Sequence, residues 1–333
     1  MRKRSIIQMV LVGVLVGVAV AVVAYFIPWL PTNASEEATS IDRVYWFVTI
    51  ICIAIFALVA AVTVYSVWKF RAPPDDNEDG SPIHGHTGLE IVWTAVPAAL
   101  VTAISIYSGV VLAGLENAPD GSRKVNVSGQ QFAWSFSYPG TDVTSGQLVL
   151  EVDKAVQLTL TSKDVIHSFW VPEFRMKQDA VPGTETHVVI TPTKVGTYEV
   201  ICTELCGLGH AVMRSQAVVL GPNDYEKWMS EQKSGGAAAG GGGGDGKALF
   251  ASNGCGSCHT LADAGSTAQV GPNLDEVLKG KNAGFIRTSI VDPEAEVAPG
   301  FQPGIMPKTF GDQLSDEQLD ALVKYLLDST KGS

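Results

Sequence analysis

The sequence predicts a multidomain membrane protein: transmembrane helices, then an all-β sandwich, then a small all-α domain. Three observations carry this prediction. Long apolar runs crowd the first third of the chain, apolar residues alternate in the middle third, and after a Gly/Ala-rich break they recur at helical spacing near the end. With 333 residues the chain exceeds one typical domain, and its 46% hydrophobic content points to a membrane part.

The apolar runs form an anchor over residues 1–120. Ile6 to Leu30, Val44 to Trp68 and Ile91 to Leu115 carry no charged residue, and each exceeds the roughly 20 residues that cross a bilayer as a helix. The first run follows Met1-Arg-Lys-Arg4, as in a secretory signal peptide, with a cleavage site near Ala34 as the alternative to retention. Signal cores run to about 15 residues; this run is longer and Gln8 is its one strongly polar interruption, so it reads as a retained span. Arg2, Lys3 and Arg4 precede it, and Lys69 and Arg71 follow the second run. By the positive-inside bias the N-terminus is cytoplasmic and everything after Leu115 lies outside a multi-pass cell-membrane anchor.

Residues 121–222 read as the sandwich. Leu148, Leu150 and Val152 alternate, Val156, Leu158 and Leu160 continue the pattern, and Thr197 to Ile201 run directly into Cys202. Short strands between Gly, Pro and Asp turns imply antiparallel sheets. The sandwich ends in a loop dense in soft donors: Cys202, Cys206, His210 and Met213, with His167 upstream. Thiolate, thioether and imidazole together select copper, and two Cys where a mononuclear blue-copper site has one point to two thiolates bridging two ions. A short disulfide or a Cys/His zinc site are the plainer alternatives.

Residues 223–246 read as a linker, because Gly235 to Gly246 is almost all Gly and Ala and behaves as a flexible tether. The remainder, 247–333, carries Cys255-Gly-Ser-Cys258-His259, the spacing of covalent haem c attachment. Two thiols form thioethers to the haem, His259 supplies one axial nitrogen, and Met306, the one Met beyond Met229, is the natural second ligand. Ser315 with Gln318 forms a capping box, and Leu319, Leu322, Val323 and Leu326 mark the buried stripe of a final helix. From Asp245 onward seven basic residues face twelve acidic ones, a surface that would steer a basic donor. A net charge of −11 excludes nucleic acid as a partner. Four of the five Cys are thereby assigned, and Cys52, inside an apolar run, reads as a small buried hydrophobe.

Over residues 44–221 these motifs resemble cytochrome c oxidase subunit II, and the fused haem segment resembles the caa-type members of that family. The resemblance implies a cupredoxin-like domain holding a dinuclear CuA centre through His167, Cys202, Cys206, His210, Met213 and the Glu204 carbonyl. It also implies a magnesium site shared with subunit I at the Glu204 side chain, and a class I cytochrome c domain in which Gly271-Pro272-Asn273-Leu274 supports His259. Glu90, in Glu90-Ile-Val-Trp93, stands where some members have a carboxylate at a proton-channel mouth; its plainer role is to favour the start of a helix. Phe132 stands where the family usually has the Trp that receives electrons from soluble cytochrome c, and Trp134 follows. That departure, with the fused haem, implies that electrons arrive from within the same chain.

The implied function is a relay: an external donor, cytochrome c or a quinol-oxidising complex, to haem c, then to CuA, then to a catalytic subunit I that reduces oxygen. The chain itself holds no oxygen-reducing site, so enzyme activity belongs to the proton-translocating complex and its other subunits. The alternatives are a CuA subunit of a nitric oxide reductase or other terminal reductase, and a membrane-tethered copper-delivery assembly protein.

Overall fold

The computed structural model describes residues 3–71, 82, 84–141, 143–237, 246–308 and 310–330. The chain forms two compact units, one of residues 1–32 with 39–115 and one of residues 33–38 with 116–333.

The first unit is helical, with α1 (Lys3–Phe26), α2 (Glu36–Lys69) and α3 (Thr87–Leu115), each long and apolar enough to cross a membrane. α1 stops before the expected Leu30 because Pro28 disfavours helical backbone at Ile27. α2 begins before the expected Val44, with Glu36 and Glu37 in its first turn, where carboxylates favour the dipole. A Cβ built on Gly13 would lie 3.3 Å from the Ala61 Cβ, and one on Gly17 3.5 Å from that of Ala57. Small residues four apart on both helices thus let the α1 and α2 backbones approach closely, as membrane helix pairs do. Cys52 is exposed on α2 and not buried as its position in the run implied. A helix apolar all round does not reveal which side meets a neighbour.

The second unit opens with the β domain, whose strands are β1 (Arg123–Gln130), β2 (Ala133–Ser137), β3 (Thr144–Ser145), β4 (Leu148–Glu151), β5 (Val156–Ser162), β6 (His167–Trp170), β7 (Lys177–Ala180), β8 (Thr186–Ile190), β9 (Gly196–Cys202) and β10 (Arg214–Leu220). They form two five-stranded sheets in the orders β3-β2-β1-β5-β8 and β4-β10-β9-β6-β7. The sandwich is as expected, but its sheets are mixed: β1 pairs β5 and β10 pairs β4 in parallel. Alternation reports which face is buried, not the direction of the neighbouring strand. Trp134, Phe136, Leu148, Leu158, Leu160 and Phe169 are fully buried in its core. β5 alternates as expected, whereas all four residues of β4 are buried.

The linker expected over 223–246 is, for its larger part, α4 (Pro222–Ala237). This helix packs on β4. Tyr225 and Met229 are buried on its inner face, Trp228 meets Tyr138 edge to face at 5.3 Å, and the Arg123 guanidinium lies 4.4 Å from the Tyr225 ring centroid. Tyr225, Trp228 and Met229 are spaced as one helical stripe, which the Gly/Ala composition of the following run overshadowed. The rest of that run, 238–245, lies outside the described residues.

Residues 33–38 complete the β domain. The Ala34 N–H donates to the Glu173 carbonyl at 3.1 Å, the Thr193 N–H donates to the Ala34 carbonyl at 2.9 Å, and the Glu37 carboxylate accepts from the Thr191 N–H at 3.0 Å.

The C-terminal domain contains α5 (Gly246–Ser252), the hairpin β11 (Thr260–Leu261) with β12 (Ser266–Thr267), α6 (Leu274–Val277), α7 (Ala283–Val291), α8 (Phe310–Gln313) and α9 (Asp316–Thr330). α9 starts at the expected capping box: the Ser315 N–H donates to Gln318 Oε1 at 3.0 Å, and the Gln318 N–H to Ser315 Oγ at 3.3 Å. Its stripe of Leu319, Leu322, Val323 and Leu326 is buried, and α5 and α7 pack on it.

Candidate metal centres

β6 and β9 are neighbours in register, with Phe169 opposite Cys202, so His167 at the start of one strand lies beside Cys202 at the end of the other. Cys202 Sγ is 3.9 Å from His167 Nδ1 and 3.8 Å from Cys206 Sγ. Cys206 Sγ is 3.6 Å from His210 Nδ1 and 3.8 Å from Met213 Sδ. The Glu204 carbonyl lies 3.3 Å from Cys202 Sγ, while Glu204 itself is exposed. His167, Cys202, Cys206 and Met213 are all buried.

Six sequence-expected ligands thus converge, and donors 3.3–3.9 Å apart around two free thiols suit soft metal ions placed between them. Among the described His, Cys, Asp and Glu, the group able to hold a metal is His167, Cys202 and Cys206. Their electrostatics agree. Burial raises the Cys202 thiol, but hydrogen bonds from His167 and from backbone groups at Ser168 and Glu204 outweigh it and bring it down to about 6. Burial, and then the charge on Cys202, push Cys206 up to about 12. One thiolate is ready, and the second forms when a cation offsets the repulsion.

Three supporting groups escaped the sequence reading. Asp164 Oδ1 accepts from His167 Nε2 at 2.8 Å, leaving Nδ1 aimed at the thiolates, and Asp164 Oδ2 accepts from the Gln131 N–H at 2.7 Å. Gln131 Nε2 donates to the Cys206 carbonyl at 2.5 Å. The signal for Asp164 was its place three residues before His167, since ligating imidazoles commonly donate their other nitrogen to a carboxylate. Gly129 is the third: a Cβ there would lie 2.9 Å from the His167 ring.

Phe132 is buried on the ligand loop, where a Cβ on Gly209 would lie 2.4 Å from its ring and one on Gly207 3.1 Å. Trp134 is fully buried, edge to face with His167 at 6.0 Å and Phe169 at 5.7 Å. Glu90 stands apart in the helical unit, where Oε1 accepts from the His86 N–H at 3.0 Å at the start of α3. That matches the plainer of its two expected roles.

In the C-terminal domain Cys255 opens a 3₁₀ turn, Cys255–Ser257, that carries the chain to Cys258 and His259. His259 Nδ1 donates to the Pro272 carbonyl at 2.9 Å, which leaves Nε2 free to ligate. A Cβ on Gly271 would lie 2.6 Å from the imidazole, so the close approach of this loop requires glycine. Burial pushes the Cys255 thiol up to about 12 and that of Cys258 up to about 11. Burial also lowers His259, keeping it neutral and able to bind iron. Met306, half-buried, packs against the same core as Cys255.

Three family profiles match: cytochrome c oxidase subunit II, transmembrane domain, over 21–111; its periplasmic domain over 141–219; and cytochrome c over 244–330. Cytochrome c oxidase subunit 2 of Thermostichus vulcanus is 34% identical over 275 residues, covering 66% of this chain and 84% of that protein. The subunit 2 of Alkalihalophilus pseudofirmus is 32% identical over 295 residues, covering 84% of this chain and 82% of that protein. The chain belongs to the cytochrome c oxidase subunit II family. It is a subunit II with a fused cytochrome c domain, part of an oxidoreductase complex, and its two families imply copper and haem c. The donor sets fit both groups: soft S and N ligands for copper, and two thiols followed by a neutral imidazole for haem c.

Proposed function

We propose that this subunit II passes electrons from a covalent haem c to a dinuclear CuA centre and on to the catalytic subunit that reduces oxygen. When bound, haem and copper supply reversible one-electron steps at a high potential, which the Met306 ligand favours. The chain's own residues position them. Cys255, Cys258, His259 and Met306 would hold the haem; His167, Cys202, Cys206, His210, Met213 and the Glu204 carbonyl would hold the copper. The observation that carries this reading is the convergence of four donors on two buried thiols, six ligands in all, in a chain that also holds a haem-attachment motif.

Paired strands β6 and β9 fix His167 and Cys202, which limits rearrangement with a change of charge at those two ligands. The exposed Glu204 carboxylate would serve the magnesium shared with subunit I, and the exposed Glu90 at the start of α3 would serve proton uptake at the inner face. Both metal domains lie outside the membrane on this reading. The first span stays in the mature chain: it packs on α2 through Gly13 and Gly17, and Ala34, at the candidate cleavage site, is buried with its N–H and C=O both bonded.

The test is the double variant Cys255→Ala, Cys258→Ala. Covalent haem is expected to disappear, oxygen consumption with the natural donor to collapse, and turnover with small artificial donors that reduce copper directly to persist. Undiminished turnover with the natural donor in this variant would overturn the relay.

A further inference from the structure

Two of the contacts between the cytochrome domain and the copper domain lie beside Cys255 and Met306; a further one brings the Ala251 carbonyl within 3.1 Å of a Cβ built on Gly146. Gly254, with φ +70° and one residue before Cys255, lies so close to β2 that a Cβ on it would sit 2.4 Å from the Ala133 Cβ. Gly304, with φ +81° and two residues before Met306, lies against the tip of Leu208, whose Cδ2 would be 3.3 Å from a Gly304 Cβ. Leu208 is an apolar residue of the copper-ligand loop, 69% exposed. With the cytochrome domain in place Leu208 meets it through the tip of its side chain and borders a cleft with the rest.

Phe132 stands between the two points. A cleft of about 280 Å³ next to Leu208 is lined by Phe132, Gln131, Met306 and Pro307, so the Met306 segment and the Phe132 ring border the same space. On its other side that ring rests on Gly207 and Gly209, between the ligands Cys206 and His210. Both cytochrome glycines take backbone conformations that disfavour other residues, and the lack of a side chain at 254 permits the close approach.

We propose that the cytochrome domain docks on the copper domain at these two points, and that Ala133 and Leu208 are positioning residues that hold the haem segment at Phe132. The proposal rests on the relay above and specifies its geometry. Covalent fusion supplies high local concentration, and the dock selects one orientation of the cytochrome domain. Gly254 and Gly304 lie beside Cys255 and Met306, so the dock brings residues that would hold the haem to the copper-ligand loop.

The experiment uses the full complex with Leu208→Asp and, separately, Ala133→Phe. Leu208 is exposed and ligates nothing, so its variant folds whatever the buried Ala133 does. Two quantities are followed: the single-turnover rate of haem oxidation by copper, read optically, and amide hydrogen exchange over residues 131–133 and 254–257. The expected result is slowing of about tenfold or more as the docked population falls, with faster exchange at both points and unchanged absorption from each centre. An unchanged rate and unchanged exchange in Leu208→Asp would overturn the dock while leaving the relay intact. Absence of haem-to-copper transfer in the parent chain would overturn the relay, and the dock with it.

Discussion

The copper region and the haem region use the same side chain, cysteine, in opposite ways. In the β domain the pairing of β6 with β9 sets His167 beside Cys202, the following loop brings Cys206 to them, and hydrogen bonds hold Cys202 down to about 6 as a thiolate. In the cytochrome domain Cys255 and Cys258 lie on a short turn, held up at about 12 and about 11 by burial, and Met306 comes from a separate loop after α7. The difference follows from the size of the guest. Bare ions need a cage built by the protein, so its ligand loop is anchored between paired strands at Cys202 and Met213. A large ring carries its own framework, so loops suffice.

Mutations sharpen or break this contrast. Cys202→Ser is expected to have the largest effect: the dinuclear copper signal disappears while the covalent haem band stays, checked by metal analysis and optical spectra of one preparation. Retention of paired copper would show that the cage does not depend on the Cys202 thiolate. Asp164→Asn removes the carboxylate that orients His167, and copper affinity should fall about 10–100-fold. Chelator competition measures this; haem content should not change.

Tyr138→Phe probes the cage's scaffold. The Tyr138 hydroxyl donates to the Val149 carbonyl at 3.1 Å and accepts from the Val149 N–H at 2.7 Å. Its loss strands two buried groups and should cost about 1–3 kcal/mol in denaturant unfolding of the copper domain. Burial raises the Tyr138 phenol above its ordinary 10.0. The unfolded chain therefore loses this proton first, and the native contribution is complete below pH 10 and declines as pH rises above it. The variant should lack that share of the alkaline decline. The smallest effect belongs to Ser315→Ala, which opens the α9 cap and should cost about 1 kcal/mol, seen in haem-domain unfolding alone.

Most of the site was legible because its chemistry is local. Cys202 to Met213 and Cys255 to His259 are contiguous, and few residue sets other than metal ligands combine those donors. His167 was legible as an imidazole in a chain that has few, but its partnership with Asp164 and Gln131 needed the pairing of distant strands. Strand positions followed from alternation, as in β5; strand direction did not, and the parallel β1–β5 pair reads like an antiparallel one along the chain. α4 was missed for a different reason: the Gly/Ala run after Gly235 set the composition of the region, although Tyr225, Trp228 and Met229 already marked a buried face. The role of Gly254 and Gly304 as contact points was invisible, because a glycine's use depends on what lies where its side chain would be.

The central claim is that six donors, two of them thiols, hold a copper pair that receives its electrons from a haem in the same chain. The most direct measurement is the optical and EPR spectrum of the purified complex, oxidised and then reduced, with copper and haem counted together. The account predicts a delocalised mixed-valence copper signal, beside one covalent haem c per chain, that disappears on reduction. A single labile copper with an ordinary mononuclear spectrum would contradict it.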